Sequence, residues 1–196
     1  FLELLVPGIK RVGVDLSPHS FILAVLSALR RFDNAETIQK SMLNDPVHLL
    51  IAQRDNPDMD CYSIIQYIQS DSPLDPRRTL GILEYVFGVH IVVLSSTGVI
   101  VPNSKFGYRR YNDGSQVVLV FMNSDGTYLQ CDTVTTPLFE CTSREGLILR
   151  ELSVNSGVEY MDTYTAADEQ VVDYNQQTVA ISKDGLTIRL KPSPII

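Results

Sequence analysis

The stretch RVGVDLSPHSFILAVLSAL, from Arg11 to Leu29, decides the fold. A polar turn, Asp15 to Ser20, runs straight into a segment with apolar Phe21, Ile22, Ala24, Val25, Leu26, Ala28 and Leu29. Wound as a helix, that segment is apolar nearly all round, so it belongs in the centre of a fold. The helix is predicted over Ser20 to Arg31, with Arg30 and Arg31 in a last turn where cations suit the C-terminal dipole. Its start has chemical meaning as well. Free N–H groups and the positive end of a helix dipole favour a thiolate and an oxyanion. The residue at that junction is Ser20, not a cysteine.

Outward from this helix the chain divides into helices first and strands later. Leu2 to Val14 is broken by Pro7, Gly8 and Gly13 and reads as a loop or a short helical lead-in. Asp33 or Asn34 is placed to cap a helix from Ala35 to Leu43. Asp45-Pro46 starts another helical turn, with proline in its first position. Cys61 to Gln69 reads helical, Ser70 to Pro76 is a loop, and Arg77 to Phe87 is a helix ended by Gly88. His90 to Leu94 (HIVVL) is a short β-branched run, the mark of a buried strand. Gln116 to Met122 is a strand, Ser124-Asp125-Gly126 a hairpin turn, and Thr127 to Thr133 the return strand. Ala166 to Tyr174 reads as a short helix or a loop. Thr178 to Ile181 and Leu186 to Leu190 form a second hairpin around Lys183-Asp184-Gly185. This order implies an α+β fold.

A length of 196 residues suits one large domain, or one domain with an appendage. The net charge of −7 argues against a surface given over wholly to nucleic acid, though not against a local basic patch. Three cysteines without a CxxC spacing argue against a disulfide framework or a structural zinc site, and no cofactor is implied. No apolar run reaches the roughly 20 residues of a membrane-spanning helix. A start at Phe1 and the extended stretch Lys191 to Ile196 suggest a domain cut from a longer polypeptide.

Each candidate for chemistry has a structural reading beside the functional one. Cys61 opens a helix, but it follows Asp58-Met59-Asp60, and carboxylates beside a thiol disfavour its thiolate. Cys131 lies in a strand, and Cys141 follows Phe139-Glu140; free cysteine is usually a small core residue. His48 and His90 read as structural, with ring nitrogens that backbone groups can satisfy. His19 adjoins Ser20, but neighbours at a helix start point apart, so the two do not make a dyad. Ser20 reads most simply as an N-cap or first-turn serine. Lys105, Arg109 and Arg110, interleaved with Phe106, Tyr108 and Tyr111, form the one basic and aromatic patch. Such a patch suits nucleic acid or an acidic partner, and equally a solvated strand edge.

Arg11-Val12-Gly13-Val14 followed by His19-Ser20-Phe21-Ile22 resembles the nucleophile segment of OTU-type papain-like cysteine peptidases. It is more similar to the divergent version in large nucleocytoplasmic DNA viruses, found in the family of the large subunit of the viral early transcription factor. Thr79 to Leu94 resembles that family's helix and buried strand, and Val117 to Gln130 its hairpin. Val158 to Tyr174 and Val179 to Pro192 resemble the family's segment C-terminal to that hairpin, with Glu159-Tyr160-Met161-Asp162 in place of a Gln-Tyr-Ile-Asp stretch. The resemblance implies a central buried helix on a mostly antiparallel sheet, an OTU-like domain over residues 1–135, and a β-rich extension over 136–196. At the cysteine position stands Ser20, and at the histidine position, just before Tyr128, stands Thr127. Asp15 lies five residues before Ser20 instead of three. Thiol and imidazole act as a unit, so losing both implies a pseudoenzyme kept for binding or architecture. The implied partners are other viral transcription or virion proteins, and DNA through Lys105, Arg109, Arg110 and Tyr111, with no membrane. The implied location is the viral factory of the host cytoplasm and the virion. An active deubiquitinase and a structural virion component are the alternatives.

Overall fold

The computed structural model describes residues 7–107, 116–124, 129–160, 169–172, 178–183 and 186–189. Five helices come early: α1 (Ser20–Ala28), α2 (Ala35–Asn44), α3 (Pro46–Asp55), α4 (Cys61–Gln69) and α5 (Pro76–Phe87). Strand β1 (Arg11–Val12) precedes them. The segment read as a loop or helical lead-in therefore contains a strand, because Arg11 and Val12 pair with Val134 and Thr133 far along the chain. Local pattern carries no trace of such a partner.

After α5 come β2 (His90–Ser95), β3 (Gly98–Val99), β4 (Phe106–Gly107), β5 (Gln116–Ser124), β6 (Leu129–Val134) and β7 (Leu138–Glu140). Then come helix α6 (Arg144–Asn155) and strands β8 (Glu159–Tyr160), β9 (Glu169–Val172), β10 (Thr178–Lys183) and β11 (Leu186–Arg189). The main sheet runs β1-β6-β5-β2-β3, with β7 on the same side of β5 as β6. Only β2 and β5 are parallel within it, so the sheet is mostly antiparallel. Strands β9, β10 and β11 form a separate antiparallel sheet. Residues 169–172 are thus a strand, where a helix or loop was expected; Val171 and Val172 pair with Ala180 and Thr178.

Both faces of the main sheet are buried, which explains the unbroken apolar run of β2. Ile91 and Val93 join Val118, Val120 and Met122 in a core shared with α1 to α5. Val92 and Leu94 join Val117, Leu119, Phe139 and Leu149 in a second core under α6. Residues 138–155, beyond the expected boundary at 135, therefore supply a strand and a helix to this sheet, and that helix falls in the span expected to be β-rich. The turn from α5 into β2 is fixed by Gly88, at φ 65°, and by buried Glu84, whose Oε2 accepts the Ile91 N–H at 2.9 Å.

Capping explains where most helices begin. Asn34, Asp45, Asp60, Asp75 and Ser143 each accept a first-turn N–H with their side chains, worth about 1 kcal/mol apiece. Helix α1 stops earlier than expected, at Ala28. The Arg30 N–H bonds to Ser27 O and the Arg31 N–H to Leu26 O, the paired bonds of a Schellman stop, with Arg30 at φ 54°. Arg30 and Arg31 thus lie outside the helix.

Candidate functional site

Ser20 is the first residue of α1 and faces β6. Its Oγ accepts the Cys131 N–H at 2.9 Å, and the residue is only 1% exposed. Its own N–H donates to Ser17 O at 3.1 Å, closing the polar turn. Cys131 is itself fully buried, its thiol free of any disulfide. Burial, reinforced by the charge of Asp132, pushes that thiol far above the usual cysteine range. The geometry makes Ser20 a strut between helix and sheet.

The turn ahead of Ser20 is tied to the same strand. Gln130 Nε2 reaches back to Val14 O at 3.3 Å and Asp15 O at 3.4 Å, and to Cys131 O at 3.2 Å. His19, the N-cap residue of α1, makes no side-chain cap. Among the six described helices, α1 alone starts that way. The His19 ring turns toward α2 and the end of α4. Its Nε2 lies 3.0 Å from Gln39 Nε2 and 3.3 Å from Ser70 O. Gln39 also donates to Ile68 O at 2.7 Å. The Gln39 side chain thus bridges the His19 ring and the end of α4. Ser20 and His19 therefore address different parts of the structure.

Thr127, at the position of the missing histidine, lies outside the described residues, as do Asp125, Gly126 and Tyr128. The other candidates are dispersed. Cys61 is exposed at the start of α4. Its acidic neighbours have other partners: Asp60 caps Ser63, and Asp58 takes a two-bond grip from Arg78 at 3.0 and 2.9 Å. The Arg78 guanidinium holds Asp58, and the Ser63 N–H holds Asp60, below the usual carboxylate range. Cys141 is buried, with Arg150 Nη1 3.7 Å from its sulfur, and burial raises its thiol. His48 Nδ1 meets Ser41 O at 2.8 Å, and His90 is fully buried on β2. No group of three or more metal-ligating side chains occurs among the described residues.

Of the basic patch, only Lys105 and Phe106 are described; Tyr108, Arg109, Arg110 and Tyr111 lie outside the described residues. Lys105 is exposed and held at φ 68°. Its carbonyl accepts the Glu159 N–H at 2.7 Å, locking the loop to β8. Beneath it, Arg54 stacks over Phe106 at 5.7 Å and pairs with fully buried Asp55 at 3.4 Å. Desolvation raises the Asp55 carboxyl above its ordinary value, and Arg54 offsets this only in part.

The sequence reading missed Gln130, Gln39 and the pairing of Ser20 with Cys131. The last had a signal. Period-2 alternation in Leu129-Gln130-Cys131-Asp132-Thr133 sets Cys131 on the face opposite Asp132, hence toward the central helix.

No family model matches this chain, and no curated protein matches it. Among solved structures the chain is similar to an ovarian tumor (OTU) domain in complex with ubiquitin, at 17% identity and a TM-score of 0.51. The match covers 75% of this chain and 86% of that one. At that identity the likeness is one of architecture, and the chain has an OTU-like α+β fold.

Proposed function

We propose that this chain is a non-catalytic OTU-like module, a scaffold or interaction surface within a large DNA-virus protein of the early transcription machinery. Its partners on this reading are other viral transcription or virion proteins, met in the viral factory of the host cytoplasm and in the virion. The observation that carries the non-catalytic part is Ser20. A nucleophile needs an exposed, activated atom beside a base, whereas the Ser20 hydroxyl is buried and accepts a backbone hydrogen bond from β6. The viral and transcriptional part rests on the motif resemblance at Arg11–Val14 and His19–Ile22.

One observation favours a second reading, an active thiol hydrolase. Cys61 is exposed at a helix start. Incubation with ubiquitin carrying a C-terminal electrophile separates the two. No covalent adduct is expected; an adduct that disappears in Cys61→Ala or Ser20→Ala overturns the non-catalytic reading. For the DNA-binding form of the proposal, the Lys105–Tyr111 patch supplies the charge. Affinity for duplex DNA should fall steeply with salt and weaken in an Arg109→Ala/Arg110→Ala variant. Absence of binding at low salt sinks that form.

A further inference from the structure

We infer that the loop over 101–107 is a latch over the buried Arg54–Asp55 pair, releasing from α3, α5 and β8 in a local opening that leaves the core folded. The pair sits at the C-terminal end of α3, nearly shut off from water. The Arg54 side chain is 6% exposed and that of Asp55 0%. One contact joins them, from Arg54 Nε to Asp55 Oδ1 at 3.4 Å. Among the described residues, Arg54 Nη2 and Asp55 Oδ2 make no hydrogen bond of good geometry. Buried polar groups in that state disfavour the closed form and gain on meeting water. Helix α5 covers one side of the pair, where a Cβ on Gly81 would collide with Asp55 Oδ2. Phe106 of β4 covers another, with its ring centre 5.7 Å from the Arg54 guanidinium.

The two covers differ in strength, and that decides which one opens. Helices α3 and α5 are bound into the same core through Ile51 and Ala52, and through Leu80, Ile82 and Leu83. Parting them means unfolding the helical layer. The loop is held to these helices by Asn103 and by the Phe106 ring. The Asn103 N–H donates to Arg77 O at 3.0 Å, and its Nδ2 donates to Asp55 O at 3.2 Å. On the outer side, the Glu159 N–H donates to Lys105 O at 2.7 Å, and β4 pairs with β8 over two residues only. Lys105, at φ 68°, holds backbone strain that release relieves. Ile100 marks the fixed end, because it is buried in the core and its N–H donates to Val93 O at 2.8 Å. A segment tied down by so few bonds belongs to the low-stability end of a fold.

Release lets Asp55 ionise in water, which gives the latch a pH signature. Burial raises the carboxyl in the closed form, against Arg54, the Ser104 hydroxyl and the Gly81 backbone, which lower it. Arg78 on α5 is engaged with Asn56 and Asp58, and Lys105 on the loop and Glu159 on β8 are exposed. Among the described residues, Arg54 is therefore the charge that acts on the carboxyl. The closed form is favoured below the ordinary carboxyl value and loses ground as pH rises through the raised one. Hydrogen exchange on the whole chain between about pH 5 and 8, each rate divided by that of an unprotected amide, tests this. The Asn103 and Glu159 amides should share one protection, at least tenfold below that of Leu119 in β5 and falling with pH. Asp55→Asn should remove the fall. Phe106→Ala should lower both amides at least tenfold again with Leu119 unchanged, and Phe106→Leu, which keeps an apolar cover, should lie between. Protection equal to that of Leu119 overturns the inference, as do two amides that exchange independently. A pH trend that persists in Asp55→Asn, or a Phe106→Ala effect that spreads to Leu119, overturns it too.

Discussion

At the residue scale, Ser20 shows how an identity can be legible while its role is not. The sequence places a serine at a helix start, where an N-cap is the simplest reading, and resemblance adds a lost nucleophile. The structure gives it a third task, because Cys131, 111 positions away, presents an N–H that needs an acceptor. Ser20→Ala should cost about 1–3 kcal/mol, the usual range for leaving a buried donor unsatisfied. Chemical denaturation checks this, and a variant as stable as the parent removes the strut. Asp55 is a second residue whose environment no local pattern reveals. Its carboxyl is raised by burial, so the folded state holds a proton that the unfolded chain has released. Stability from this group is present below the unfolded value near 4 and is lost as pH rises through the folded one. The stability of Asp55→Asn relative to the parent should therefore climb as pH rises from about 4 through the folded value, then level off. Urea titrations across pH 4–8 measure this difference. A difference that falls with pH means that pairing with Arg54 outweighs desolvation.

At the element scale, the sequence speaks clearly where caps and periodicity act locally. Asn34, Asp45, Asp60 and Asp75 mark the starts of α2 to α5 because each bonds an N–H within three residues. Helix α6 was illegible for the opposite reason. Its apolar residues surround the axis instead of marking one face, and Gly146 breaks the helical propensity. That glycine is there for close approach. A Cβ on it would collide with the Glu140 carbonyl, where α6 meets the end of β7. Alanine is the better helix former by about 1 kcal/mol, yet backbone cannot yield as a flexible side chain does. Gly146→Ala should destabilise by about 1–3 kcal/mol, the cost of overpacking. Gly13→Ala, with open space where its Cβ would go and no positive φ, should be at least as stable as the parent. Thermal melts of the two side by side decide this; a neutral Gly146→Ala means that the helix start shifts freely.

At the scale of the whole molecule, the α+β class was readable from element order, but the number of layers was not. A run such as HIVVL announces burial without saying what covers each face. Alternation along β2 and β5 sends Ile91, Val93, Val118 and Val120 to the helical layer, and Val92, Leu94, Val117 and Leu119 to the face under α6. The second cover comes from residues 138–155, which a division at 135 assigns elsewhere. The two arrangements differ in what a shortened chain does. Ending the chain at residue 135 removes β7 and α6 and bares the four apolar side chains of the second face. A contiguous apolar patch of that kind drives aggregation, and the β5 edge that β7 covers becomes a template for strand pairing. The 1–135 chain should therefore be insoluble or unfold without cooperativity, while a chain ending at residue 160 should keep a single sharp transition. Circular dichroism melts with parallel light scattering measure both. A soluble, cooperatively folding 1–135 chain returns the boundary to 135 and makes α6 an accessory; failure of both chains assigns part of the core to residues 161–196.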